Sequence, residues 1–147
     1  MSNRRRLGIV LLALAPLIAQ GCGWFHDQRP EYVFFKVDGP AGTQVQAVYS
    51  TQFLAAVDDA GVTRINVFYT DTVVHTLPVD TSFFVAVDRR WFVEMTPISV
   101  DEVAVKVRVD VDDRNQLDET GLVKASAPWR FAYLFNQQVT RIIDIVL

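Results

Sequence analysis

Between Val103 and Val111 every second residue is valine, with Ala104, Lys106, Arg108 and Asp110 in the intervening places. A period of two sustained over this length describes a strand with one buried face and one wet face. Valine suits it, because its branched side chain packs well on a pleated surface. One such strand cannot hide its apolar face alone. It needs neighbours in the sheet and a second layer against the valines.

Further strand signals surround it. Tyr32 to Val37 is rich in β-formers and ends at the turn cluster Asp38-Gly39-Pro40. Gln44 to Tyr49 alternates. Phe53 to Val57 and Val62 to Tyr69 flank Asp58-Asp59-Ala60-Gly61, a hairpin signal, with Ile65, Val67 and Tyr69 expected on one face. Val73 to Val79 contains Pro78, which predicts an edge or a bend. Ser82 to Val87 and Trp91 to Met95 flank Asp88-Arg89-Arg90, as a hairpin or a bulged strand. Trp129 to Phe135 and Val139 to Val146 are expected to close the chain as two more strands, joined around Asn136-Gln137-Gln138. From residue 31 onward no long stretch carries a 3.6-residue apolar period. The expectation is an all-β chain, a single antiparallel β-sandwich over 31–147, immunoglobulin-like but without the marker disulfide of true immunoglobulin domains.

The first 22 residues follow different rules. Arg4, Arg5 and Arg6 precede an uncharged, mostly apolar run from Leu7 to Ala19, and Gln20, Gly21 and Cys22 follow. A basic start, a short apolar stretch and small residues form the pattern of an export signal. The run is shorter than the roughly 20 apolar residues that span a bilayer. Pro16 also interrupts it, at a cost of about 3 kcal/mol in a helix interior. This reads as a cleaved helical signal peptide over 1–21 and a tether over 22–30.

Cys22 is the only cysteine. Exported proteins normally use cysteines in pairs, and one cysteine cannot form a disulfide within its own chain. Loss of residues 1–21 removes three arginines and no acids, which lowers the net charge from −3 to −6. An acidic domain has no electrostatic footprint for nucleic acid and is not drawn to anionic lipid. Half the residues are hydrophobic, enough for a core without disulfides. Trp24 and Phe25 stand beside the cysteine, where rings favour a membrane interface. The alternative is a linker with incidental aromatics.

Little in the sequence points to catalysis. His26 falls in the tether and His75 in a strand-like run. Ser82 or Ser99 with an aspartate would complete a triad on paper, but no spacing supports one and no G-x-S-x-G elbow is present. The expectation is a protein that is not an enzyme. The richest polar run is Asp110 to Glu119. Calcium takes several hard oxygen ligands, and Asp110, Asp112, Asn115, Asp118 and Glu119 are the candidates. The run lacks the EF-hand glycine and spacing. The competing reading is a polar hairpin turn with Asn115 in the left-handed conformation. Asp58-Asp59 and Asp101-Glu102 read as solvated loop charge, and Arg89-Arg90 as an exposed basic spot.

The segment Ile18-Ala19-Gln20-Gly21-Cys22 resembles the lipobox of bacterial lipoproteins. The resemblance implies a diacylglycerol on the Cys22 thiol, cleavage before Cys22 and often an acylated amino group. No other cofactor is expected. Two or three acyl chains, at about 0.8 kcal/mol per buried methylene, anchor a protein stably. By the same resemblance Gly23, which is not an inner-membrane retention aspartate, implies the outer membrane facing the periplasm if the host has one. Tyr32 to Gly39, Val45 to Tyr49, Leu77-Pro78-Val79 and Val105 to Asp110 are similar to exported β-sandwich domains of the MmpS type. Those are membrane-tethered accessory proteins associated with lipid transporters. The aromatic C-terminal strands and the lipobox depart from that pattern, and no functional residue carries over. The functional expectation is an envelope lipoprotein with a non-catalytic binding or accessory role. A protein partner would meet paired sheet edges or an aromatic patch around Trp91, Phe92 and Trp129, although the favoured reading of these three is as core residues, since most large aromatics are largely buried. The alternatives are a calcium-dependent binding module and a periplasmic lipid carrier.

Overall fold

A computed structural model describes residues 29–57, 63–135 and 144–145. Its strands are β1 (Tyr32–Asp38), β2 (Gln44–Ser50), β3 (Gln52–Val57), β4 (Thr63–Phe68), β5 (Asp71–Thr76), β6 (Val79–Phe84), β7 (Arg90–Pro97), β8 (Glu102–Val111), β9 (Arg114–Lys124), β10 (Trp129–Leu134) and β11 (Asp144–Ile145). No helix occurs among the described residues. Two four-stranded antiparallel sheets form a sandwich, one ordered β6-β1-β8-β9 and the other β10-β7-β2-β5. This is the all-β sandwich that the alternating patterns predict.

The valines of β8 do what their period requires. All five are buried, and the strand alternates between core and water from Val103 to Val109. Val33, Phe35 and Val37 extend this inner face along β1, and Val45, Ala47, Tyr49, Trp91, Val93, Met95, Phe131 and Tyr133 oppose it from the other sheet. Phe35 lies at the centre. Its ring centroid stands 5.4 Å from Trp91, 6.1 Å from Trp129 and 6.2 Å from Tyr49. Burying each such side chain contributes about 1.5–3 kcal/mol.

The hairpin β3–β4 leaves the sandwich and folds over one part of the second sheet. Phe53 and Ile65 cover Phe92 and Ala132, forming a second small core. This is why β7 buries Trp91, Phe92 and Val93 in succession instead of alternating. Arg90 fastens the hairpin, donating from Nη1 to the Phe53 carbonyl at 2.6 Å.

Several expectations shift. The run after Val111 is not a long acidic loop. A two-residue turn, Asp112-Asp113, leads straight into β9, whose residues pair with β8 from Val111↔Arg114 to Glu102↔Lys124. The left-handed residue is Asp112, at φ 50°, and not Asn115. Pro78 marks both things its position predicts, since β5 and β6 separate there and β5 is an edge strand. Asp88-Arg89-Arg90 is neither a hairpin nor a bulge. β6 and β7 belong to different sheets, so these residues cross between layers. Tyr69 falls beyond the end of β4 and is exposed. The C-terminal strand β11 is short and pairs with β4, in parallel. The turns expected at 58–61 and 136–138 lie outside the described residues, as do Cys22 and His26.

Candidate functional site

The five oxygen-bearing residues proposed for calcium do not converge. Asp110 lies on the outer face of its sheet, accepting from Arg108 Nε at 2.7 Å and from Asn115 Nδ2 at 2.9 Å. Burial pushes its pKa up, but the hydrogen bonds from Arg108 and Asn115 outweigh this and hold the carboxyl below its ordinary value. Asp118 faces the same side and pairs with Lys106 at 3.2 Å. Glu119 is the next residue along β9 and so points the other way. Its Oε1 accepts from Trp129 Nε1 at 2.9 Å. Asp112 turns toward β1, where it accepts from Tyr32 N at 2.9 Å and Glu31 N at 3.1 Å. The acids are distributed along a hairpin, each with a local partner. Among the described residues no three His, Cys, Asp or Glu side chains gather in one group.

The pieces of the paper triad also stand apart. His75 is on β5, and its Nε2 lies 2.9 Å from Tyr49 Oη. Burial lowers the His75 pKa and raises that of the Tyr49 phenol. Both effects favour the neutral forms of the two groups, which share one hydrogen bond between Tyr49 Oη and His75 Nε2. Ser82 lies on β6, in the opposite sheet. Ser99 Oγ accepts from Gln44 N at 2.9 Å, beyond the end of β7.

A concave site exists where the sandwich opens between β5 and β6. A cleft of about 390 Å³ is lined by Tyr49, Ser50, Thr51, Tyr69, Asp71, Thr72, Val73, Phe83 and Trp91. The backbone explains how these meet. β2 delivers Tyr49 at its end, β5 begins at Asp71, and the inner face of β6 brings Phe83 to within 4.5 Å of the Tyr49 ring. Trp91 forms the floor, 5.2 Å from Phe83. The indole is fully buried, yet its Nε1–H has no hydrogen-bond partner. Apolar walls with a few polar groups are the usual make-up of a ligand site. An unpaired buried donor costs about 1–3 kcal/mol until something accepts from it.

A second cleft of about 410 Å³ lies beside the β3–β4 hairpin, between Gln52, Phe53, Leu54, Phe68, Asp88 and Arg90. Its charged groups are already engaged. Arg90 binds the Phe53 and Asp88 carbonyls, and Asp88 accepts from Thr51 Oγ1 at 2.8 Å. The first cleft is therefore the better candidate.

Sequence reasoning reached parts of this site singly, as strand residues, but not the site itself. Trp91 and Phe92 are fully buried and Trp129 packs against the core, as the core reading of these aromatics expects, so they offer no patch to a partner. The exposed aromatics are instead Tyr32, Phe34, Phe68, Tyr69 and Phe84. Three of these, Tyr32, Phe34 and Phe84, occupy the wet positions of strands whose burial alternates. The chain matches no family model, no curated protein and no solved structure.

Proposed function

We propose that this protein is a bacterial envelope lipoprotein, anchored through Cys22, whose β-sandwich binds a partner without catalysing a reaction. The lipobox residues Ile18 to Cys22, the basic start and the unpaired cysteine support the anchor. The observation that carries the binding role is the cleft between β5 and β6, where Tyr49, Val73, Phe83 and Trp91 meet the polar groups of Ser50, Thr51, Asp71 and Thr72. Its neutral Tyr49–His75 pair supplies a polar contact and not an activated nucleophile. The space between the two sheets is filled by Phe35, Trp91, Trp129 and Phe131, so the interior lends nothing to the lipid-carrier alternative.

Incorporation of labelled fatty acid tests the anchor. Wild-type protein should take the label and Cys22→Ala should not, and an unlabelled wild type overturns the anchored reading. Affinity capture from envelope extracts tests the cleft. Val73 is partly exposed at the cleft mouth, so Val73→Arg should fill the opening and abolish capture without unfolding the domain. Equal capture by wild type and Val73→Arg excludes the cleft as the binding site.

A further inference from the structure

The exposed aromatic side chains among the described residues are Tyr32, Phe34, Phe68, Tyr69 and Phe84, and all five sit at one end of the sandwich. Tyr32 opens β1 and pairs with Phe84, which closes β6, and their rings meet edge-on at 5.5 Å. Phe34 follows on the same face, 6.4 Å from Tyr32. Phe68 closes β4, and its carbonyl accepts from Ser50 Oγ at the end of β2. Tyr69 lines the cleft with Phe83, the neighbour of Phe84. The exposed apolar residues at the opposite end, Ile98, Val100 and Leu122, are all aliphatic.

The chain enters the domain at the aromatic end. Asp112 clamps the backbone of Glu31 and Tyr32 there, and Val87, on the loop after β6, is also exposed. Between Cys22 and Tyr32 the chain extends at most about 35 Å, at 3.3–3.6 Å per residue. A lipid on Cys22 therefore tethers the domain by this end, which meets the bilayer with the least extension of the chain. Amphipathic rings gain most at the headgroup level of a membrane. Charge limits the lipid type. Local charge there is mixed, with Glu31, Asp112 and Asp113 near Arg29 and Arg114, so it is the net charge of −6 expected for the mature chain that disfavours anionic headgroups.

We propose that the aromatic end formed by Tyr32, Phe34 and Phe84 seats on the zwitterionic surface of the membrane that holds the lipid anchor. The proposal rests on the anchored-lipoprotein reading and adds a fixed orientation to it. The domain lies on the bilayer through β1 and β6, and the cleft opens close to the headgroups.

The experiment uses the lipidated full-length protein in phosphatidylcholine vesicles. Lipidation blocks the Cys22 thiol, so Phe84→Cys or Leu122→Cys supplies the sole site for an environment-sensitive fluorophore, with Tyr32→Cys as an independent second probe at the aromatic end. Nitroxide-labelled lipid should quench the probes at 84 and 32 several-fold more than the probe at 122. Added phosphatidylglycerol should reduce that difference. Equal quenching at both ends, or stronger quenching at 122, overturns the proposal while leaving the anchor intact. Probes at 84 and 32 that stay unquenched in vesicles but become shielded in envelope extracts show that a protein covers this face, which also overturns it. Protein that takes no fatty acid at Cys22 and does not bind vesicles overturns the anchored reading and the proposal together.

Discussion

Asp112 holds the entry to the domain, and its replacement gives the sharpest test of how the acidic hairpin works. Its carboxylate accepts from Tyr32 N at 2.9 Å and from Glu31 N at 3.1 Å, and its own N–H donates to the Tyr32 carbonyl at 2.9 Å. Its φ is 50°, in the left-handed region that costs most residues about 1–2 kcal/mol and Asp or Asn less. Asp112→Ala removes both side-chain bonds. At an exposed site each is worth about 1 kcal/mol, and the left-handed alanine adds about 1 kcal/mol more. The sum is about 3 kcal/mol, or about 12 °C in melting temperature for a domain of this size. Asp112→Gly loses the same bonds but relieves the backbone, so it should fall between wild type and alanine. Asp112→Asn keeps one acceptor oxygen and tolerates φ 50°, so it should cost least. Asp113→Ala, in the same turn, should stay within about 0.5 kcal/mol. Thermal and urea melts of the five proteins, with and without calcium, decide the matter. The clamp predicts the order Asn, Gly, Ala, unchanged by calcium. An Asp112→Ala variant as stable as Asp113→Ala refutes the clamp. A calcium-induced rise in the wild type that Asp112 and Asp118 variants lose would favour the metal reading.

Phe35 is 1% exposed among the rings of Trp91, Trp129 and Tyr49, so Phe35→Ala should cost about 3–5 kcal/mol in urea unfolding. A loss below about 1 kcal/mol would mean the core is not packed as described. A Cβ on Gly39 would stand 2.8 Å from Leu77 Cδ1 and 3.2 Å from Val105 Cγ1. Both neighbours are buried, so Gly39→Ala should destabilise by about 1–3 kcal/mol, whereas an unchanged melt excludes the close approach. Burial lowers the His75 pKa from its ordinary 6.5. The folded state therefore binds this proton less readily than the unfolded chain. The stability His75 contributes is complete above pH 6.5 and declines as pH falls below that value. The midpoint from an NMR titration should lie below 6.5, and one at or above it contradicts the neutral Tyr49–His75 pair.

How legible the fold was depends on what each strand buries. β8 has one dry face and one wet face, and its period of two was plain in the sequence, whereas β1 alternates as strictly in burial but has aromatics on its wet face, so only its β-rich composition was legible. β9 was invisible because it is an edge strand with few buried positions. From Arg114 to Leu122 it carries no fully buried residue, and only Val123 enters the core completely. Its pairing with β8 comes from backbone hydrogen bonds and from cross-strand charge such as Lys106–Asp118 and Lys124–Glu102. Charge in that pattern looks the same in a loop. The candidate site was illegible for another reason. Tyr49, Asp71, Phe83 and Trp91 come from the ends of four strands, and no spacing along the chain encodes a junction between two sheets.

The exposed aromatics show what a strand pattern leaves unsaid. Alternation assigns Tyr32 and Phe34 to the wet face of β1, opposite Val33 and Phe35, and assigns Phe84 to the wet face of β6. A wet face normally carries charge, and along most of this sheet it does, in Lys36–Asp80, Lys106–Asp118 and Lys124–Glu102. Exposed pairs of that kind contribute little stability, so they serve chiefly to keep the face solvated. Where Tyr32, Phe34 and Phe84 replace them, the face loses that solvation and the fold gains little in return, since the rings remain about two-fifths to three-fifths exposed. Packing does not account for three rings in those places. The proposed seating on a membrane, at the end where β1 begins, would supply the contact that the fold does not.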